Sequence, residues 1–271
     1  MPLDLGPLAW GWLALVGLDA ALALQGELRF VAPAPIASLY EDGAADYSTR
    51  RGERLEVTLP DGTAITLNTE TDLDVVFDGR YRRVQMLRGQ AFFTVAKDPL
   101  RPFVVEAGGK QIVAIGTAFD VRLDDDRLEV LLVEGRVAVE DVARSGAVAM
   151  PAAASDARVQ LNPGETLVAT ESEVVHTPAP NPERQLKWRD GLIEFDNTTL
   201  ANAVEEFNRY SDRTIRIEDP QVAELLISGI FRTNSQRNFL DALTSLHPVA
   251  IEYRGPDELA LVQRSATRTN Q

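Results

Sequence analysis

Apolar and polar residues alternate with a period of two from about Arg50 to Val142. In RLEVTLPDGTAITLN, Leu55, Val57 and Leu59 share one face, Pro60-Asp61-Gly62 turns, and Ile65 and Leu67 resume that face. The same alternation recurs in LDVVF, RRVQML, AFFTVA, PFVVEA, QIVAIG, FDVRL, LEVLLVEG and RVAVE, divided by D-G, R-G, G-G and E-G turns. No helical period interrupts these runs, so the region predicts an all-β unit of about ten or more strands: a sandwich, jelly roll or short solenoid. Residues 143–158 are small and loop-like, and RVQLNPGETLVAT predicts one more hairpin turning at Asn162-Pro163-Gly164.

The period changes after Thr177–Pro182, TPAPNP, whose composition predicts a semi-rigid extended linker. GLIEF then reads as a strand. LANAVEEFNRYS places Leu200, Ala203, Val204, Phe207 and Tyr210 on one helical stripe, with Thr198 or Thr199 available as N-cap. TIRIE and LLISGIFR are strands, and NFLDALTSL puts Phe239, Leu240, Leu243 and Leu246 on a second amphipathic helix that Pro248 ends. AIEYR and ELALVQR close a hairpin at Gly255-Pro256-Asp257. The expected order is βαββαββ, with two helices on one face of a small sheet. The fold class is therefore mainly β: a solenoid- or jelly-roll-like all-β domain followed by a small α+β domain.

The N-terminal segment is different. Pro7 to Leu24 is apolar except for Asp19, and as a helix would span about 27 Å, close to the roughly 30 Å hydrocarbon core. It predicts a membrane anchor or export segment, left through Pro33–Pro35. The expected division is 1–30 anchor, 31–176 all-β domain, 177–182 linker, 183–264 α+β domain and 265–271 tail.

Composition narrows the chemistry. With 41 acidic and 27 basic residues the formal charge is −14, which argues against a nucleic-acid partner, since counterion release needs a basic face. The chain has no cysteine, which excludes disulfides, thiolate metal sites and cysteine nucleophiles. His176 and His247, beside prolines, read as surface rather than as zinc ligands. Asp124-Asp125-Asp126 lacks the spacing of a calcium loop and reads as a hairpin turn. Asp72, Asp74 and Asp78 read as a solvated face rather than as paired glycosidase carboxylates. With no P-loop, G-x-S-x-G or G-x-G-x-x-G, neither an enzyme nor a cofactor or metal site is expected.

The ordered blocks RGERLEVTLPDGTAITLN, RRVQMLRGQAFFTVAKDPLRPFVV, IVAIGTAFDVRL and LEVLLVEGRVAV, over roughly residues 49–170, resemble the periplasmic domain of FecR-type transmembrane regulators, the anti-sigma sensors of bacterial cell-surface signalling. Residues 192–264 resemble the secretin/TonB short N-terminal domain. Gly62 and Gly89 are expected at turns or close backbone approaches, Phe92 and Phe93 on opposite sides of one strand, and Phe119, Val121 and Leu123, just after Gly116-Thr117, as core. Trp188, ahead of Arg189-Asp190-Gly191, is expected to seat the small domain on its neighbour.

The resemblance implies a single-pass inner-membrane protein with its bulk in the periplasm. Its implied partner is the periplasmic signalling domain of a TonB-dependent outer-membrane transducer, whose state it relays to an extracytoplasmic-function sigma factor in iron-uptake-type regulation. Family members begin with a cytoplasmic anti-sigma domain, whereas this chain opens almost at the expected span. Sigma-factor binding is thus expected only with an upstream cytoplasmic domain. The expected docking strand is Leu226, Ile227, Ser228, Gly229, Ile230 and Phe231, whose edge could accept a partner strand unless it is a central one. The alternative is a non-signalling periplasmic structural or assembly protein using a secretin-like domain.

Overall fold

The computed structural model describes residues 44–77, 82–125, 127–142, 158–179 and 181–264, all within one compact unit. The expected anchor at 7–24, Asp78 and Asp126 lie outside the described residues.

The first thirteen strands are β1 (Ala44–Ser48), β2 (Leu55–Thr58), β3 (Ala64–Leu67), β4 (Asp72–Phe77), β5 (Arg82–Thr94), β6 (Phe103–Ala107), β7 (Lys110–Ala114), β8 (Ala118–Asp124), β9 (Arg127–Glu134), β10 (Val137–Asp141), β11 (Val159–Leu161), β12 (Glu165–Ala169) and β13 (Val174–Pro178). They form two linked layers that share β5. The N-terminal half of β5 lies between β4 and β6, in the order β1-β4-β5-β6-β7-β10-β11. Its C-terminal half lies between β3 and β8, in the order β2-β3-β5-β8-β9-β12-β13. Neighbours are antiparallel except β5 and β6.

RRVQML and AFFTVA, expected as separate strands, are therefore one strand that changes sheets at Gly89. There φ is +93°, and a Cβ would lie 2.5 Å from Thr71 Cα, so only glycine fits. The β4–β5 register shifts at this bend, and the Thr71 hydroxyl covers the gap, accepting from Gln90 N and donating to Gln90 O, both at 3.0 Å. The Asn162–Gly164 turn also differs from expectation. β11 pairs with β10 and β12 with β9, so this turn is a corner between layers rather than a hairpin.

Both layers feed one core. Leu73, Val84, Phe103 and Ile112 from the first meet Ile65, Phe93, Phe119, Val130 and Leu167 from the second. Phe93 stacks on Phe119 with centroids 5.1 Å apart and tilts against Phe103 at 5.9 Å. Arg82 is fully buried near this core, paired with Asp61 at 2.7 Å and bonded to the carbonyls of Ala96 and Arg101.

In the Thr177–Pro182 stretch expected to be a semi-rigid extended linker, Thr177 and Pro178 complete β13, and Asn181 caps α1 (Pro182–Gln185) by accepting from Arg184 N at 3.0 Å. His176 accordingly sits on a strand, 2.9 Å from Glu165, rather than in a loop. A 3₁₀ turn, Lys187–Asp190, leads into β14 (Leu192–Thr199), α2 (Leu200–Asn208), β15 (Thr214–Ile217), α3 (Pro220–Ala223), β16 (Leu226–Arg232), α4 (Gln236–Leu246), β17 (Val249–Tyr253) and β18 (Glu258–Gln263). Thr199 caps α2, and helix α4 stops before Pro248.

The expected single sheet is two sheets: antiparallel β14-β16, and β15-β18-β17, in which β15 and β18 are parallel. A second core joins them, with Phe195, Phe207, Phe231 and Phe239 clustered and Phe207 stacked on Phe239 at 4.2 Å. All five stripe residues of α2 and its extension, Leu200, Ala203, Val204, Phe207 and Tyr210, are in this core, but Leu246 of α4 is 78% exposed.

Candidate functional site

Two regions stand out as candidate sites. The first is the edge of β16. Its one strand partner among the described residues is β14, so one row of its main-chain groups has no ladder. Alternation divides the expected docking residues. Ile227 is buried in the second core and Phe231 packs against it, whereas Leu226 and Ile230 point outward and are each 56% exposed. Gly229 sits between them, where a Cβ would be 3.0 Å from the Phe231 ring. A small pocket opens between β16 and α4, lined by Ile227, Phe231, Phe239, Leu243, Leu246 and His247. An exposed strand edge beside an apolar helix groove suits the capture of an extended segment.

The second surface is the seam where the small domain covers the outer face of the β3-β5-β8-β9 layer. Phe92 and Phe93 do point to opposite sides: Phe93 fills the core, and Phe92 lies under the Arg189 guanidinium, 3.9 Å from ring centroid to Cζ. Trp188 is buried, and its carbonyl accepts from Arg54 Nη1 at 2.8 Å. Further along, Asn68 Nδ2 donates to Tyr210 Oη at 2.8 Å and to Gln90 Oε1 at 2.9 Å, and Thr69 Oγ1 donates to Arg209 O. Arg122 reaches across to Glu206 at 3.0 Å and also pairs with Asp124.

The charges in this seam are displaced from their ordinary titration. Burial pushes Asp120 up to about 7, with the Gln90 hydrogen bond opposing and Glu129 reinforcing. Burial also raises Glu206, but Arg209 and Arg122 outweigh it and hold that carboxyl below its usual range. Burial lifts the Tyr210 hydroxyl well above the ordinary tyrosine value.

Sequence reasoning missed Asn68, Gln90, Asp120, Arg122, Glu206 and Arg209 as a group. Gln90, Asp120 and Arg122 alternate with core residues on their strands, Glu206 lies off the apolar stripe of α2, and Asn68 and Arg209 follow the ends of β3 and α2; such polar residues look solvated until a neighbour docks. The available signal was Phe92, an aromatic on a face that otherwise reads as solvent-facing. Asp72 pairs with Arg88 at 2.7 Å, and Asp125, with φ +42°, turns between β8 and β9. Gly116 has φ +67° and Thr117 is buried beside it, while Phe119, Val121 and Leu123 lie in the core. No cluster of His, Asp or Glu able to hold a metal ion occurs among the described residues. No helix among them is long and apolar enough to cross a membrane.

The fold and these surfaces define a class: a mainly β body joined to a small α+β module through a polar seam. The family model described as FecR protein matches residues 45–138, and the model described as FecR, C-terminal matches residues 192–257. Together they match more than half of the chain, which belongs to the FecR family, a family of signalling regulators rather than of enzymes. No curated protein matches the chain. Two crystal structures of a candidate anti-sigma factor from Parabacteroides distasonis ATCC 8503, at 2.50 and 1.65 Å resolution, share its fold. Each has a TM-score of 0.64 and 24% identity, covering 81% of this chain and 99% of that one.

Proposed function

We propose that the chain relays the state of a TonB-dependent outer-membrane transducer to an extracytoplasmic-function sigma factor, with residues 7–24 anchoring it in the inner membrane and the rest in the periplasm. In this reading the FecR body, residues 31–176, and the module at 183–264 are distinct domains that meet at the seam. The module docks the transducer's periplasmic signalling domain through the edge of β16.

The observation that carries the reading is the exposure of Leu226 and Ile230 on a strand with one free edge, beside the β16–α4 pocket. Natural proteins block such edges with charge, yet these two positions are apolar. Family membership supplies the regulatory setting. The test is Ile230→Lys, which places an ammonium on the docking face while leaving both cores intact. Binding of the transducer's signalling domain to the full chain should weaken by at least tenfold, about 1.4 kcal/mol. Unchanged binding by the folded variant would exclude this edge.

A further inference from the structure

A cleft of about 240 Å³ lies in the seam, apart from the β16 edge. One wall is the outer face of the β body, with Gln90, Asp120, Arg122, Glu129 and Leu131. The other is Trp188 and Arg184, the strand β14 and the Glu206 side of α2. Four consecutive β14 residues, Leu192 to Phe195, line it. Successive strand side chains point to opposite faces, so β14 meets the cleft edge-on and offers it main-chain groups as well.

Two lining side chains have unmatched polar atoms. Asp120 is 6% exposed: its Oδ1 accepts from Gln90 Nε2 at 2.8 Å, but the buried Oδ2 has no protein partner. Trp188 is 4% exposed, and its buried Nε1–H has none either. Buried polar atoms are almost always matched, and each exception calls for a cause. Here one is a carboxylate acceptor, the other a neutral donor, and both line the same cleft.

The neighbouring charges select the ligand. Both lining guanidiniums are engaged, Arg122 by Asp124 and Glu206, and Arg184 by Asp196 at 3.5 Å. Glu194 is matched by Lys187 at 3.0 Å. Glu129 is met by Arg127, also at 3.5 Å, so the charge left without an ion-pair partner is that of Asp120. An anion would meet the Asp120 carboxylate, and a neutral molecule would leave that charge without an ion-pair partner once Asp120 ionises.

We propose that the cleft binds a small primary ammonium ligand carrying an acceptor oxygen, the ammonium pairing with Asp120 Oδ2 and the oxygen accepting from Trp188 Nε1. Such a ligand bridges the body and the module and would tighten the seam. The site is independent of the β16 docking edge, so either reading can fail alone.

The test uses calorimetric titration of the full chain with glycylglycinamide, whose amino group and carbonyls match the required chemistry, and with its N-acetylated form as control. The expected result is saturable binding that falls at least tenfold on acetylation and in Asp120→Asn, and several-fold in Trp188→Phe. Asp120→Asn keeps an oxygen for Gln90 and nearly the same shape, and circular dichroism checks its fold. Should that variant not fold, Trp188→Phe and the acetylated probe decide the matter. No binding to the unmodified chain would mean that water alone satisfies the two atoms, and the proposal would fail. Equal binding of the acetylated probe, or of the folded Asp120→Asn variant, would overturn it as well.

Discussion

Asp120→Asn isolates the cost of a carboxylate sealed beneath the small domain. Its carboxyl titrates near 7 in the folded protein against an ordinary 3.8, and burial is the main cause. A raised acid binds its proton more tightly in the folded state, so it is no burden while protonated. Stability is then lost as pH rises from about 4 to about 7. At about 1.36 kcal/mol per pH unit the whole effect is ~4 kcal/mol, and the part falling between pH 5 and pH 8 is roughly 2–3 kcal/mol. Asparagine cannot ionise and still accepts from Gln90. The stability gap, variant minus parent, should therefore widen in the variant's favour by that amount between pH 5 and pH 8. Urea denaturation at the two pH values measures it. Other carboxylates, including Glu206, move in both proteins and cancel in the difference. A gap independent of pH would refute the claim that Asp120 is desolvated in the seam.

Two substitutions address the β body. Gly89→Ala introduces a Cβ 2.5 Å from Thr71 Cα at a φ of +93°; strain alone costs about 1–3 kcal/mol, and the clash should bring thermal melting down further, whereas a near-parental melting temperature would show that β5 does not need its bend. Arg82→Met leaves Asp61 buried without its guanidinium, which should cost about 3–5 kcal/mol in denaturant unfolding, and a loss below about 1 kcal/mol would mean that the pair contributes little beyond its own desolvation.

What alternation reveals is which face a residue takes, and this part of the fold was legible. Leu67, Val121 and Phe207 were placed on apolar faces by period, and they are buried in cores; of Phe92 and Phe93, period said only that they part to opposite sides. Alternation does not name the neighbouring strand. RRVQMLRGQAFF reads the same whether Gly89 turns the chain back or bends one strand from layer to layer, and only the contact with Thr71 decides it. For the same reason Asn162-Pro163-Gly164 looked like a hairpin, and the small domain's two sheets looked like one. Leu226–Phe231 was legible as a strand, but its place at an edge, and the split between Ile227 and Phe231 inside and Leu226 and Ile230 outside, depend on where β14 and α4 lie. Asp120 and Gln90 were invisible as a pair, because their contact spans thirty positions and ordinary solvated faces show the same residues.

The relay is tested most directly by a photo-crosslinking amino acid placed at position 230 of the full chain, in the native bacterium. Ile230 is exposed enough to carry the larger side chain without disturbing either core. The account predicts a crosslink to the periplasmic signalling domain of a TonB-dependent receptor, identified by mass spectrometry of the joined peptides, and its loss when Leu226→Lys is added. A probe that crosslinks to no receptor domain, or that joins the receptor equally well with Leu226→Lys present, would contradict docking through this strand.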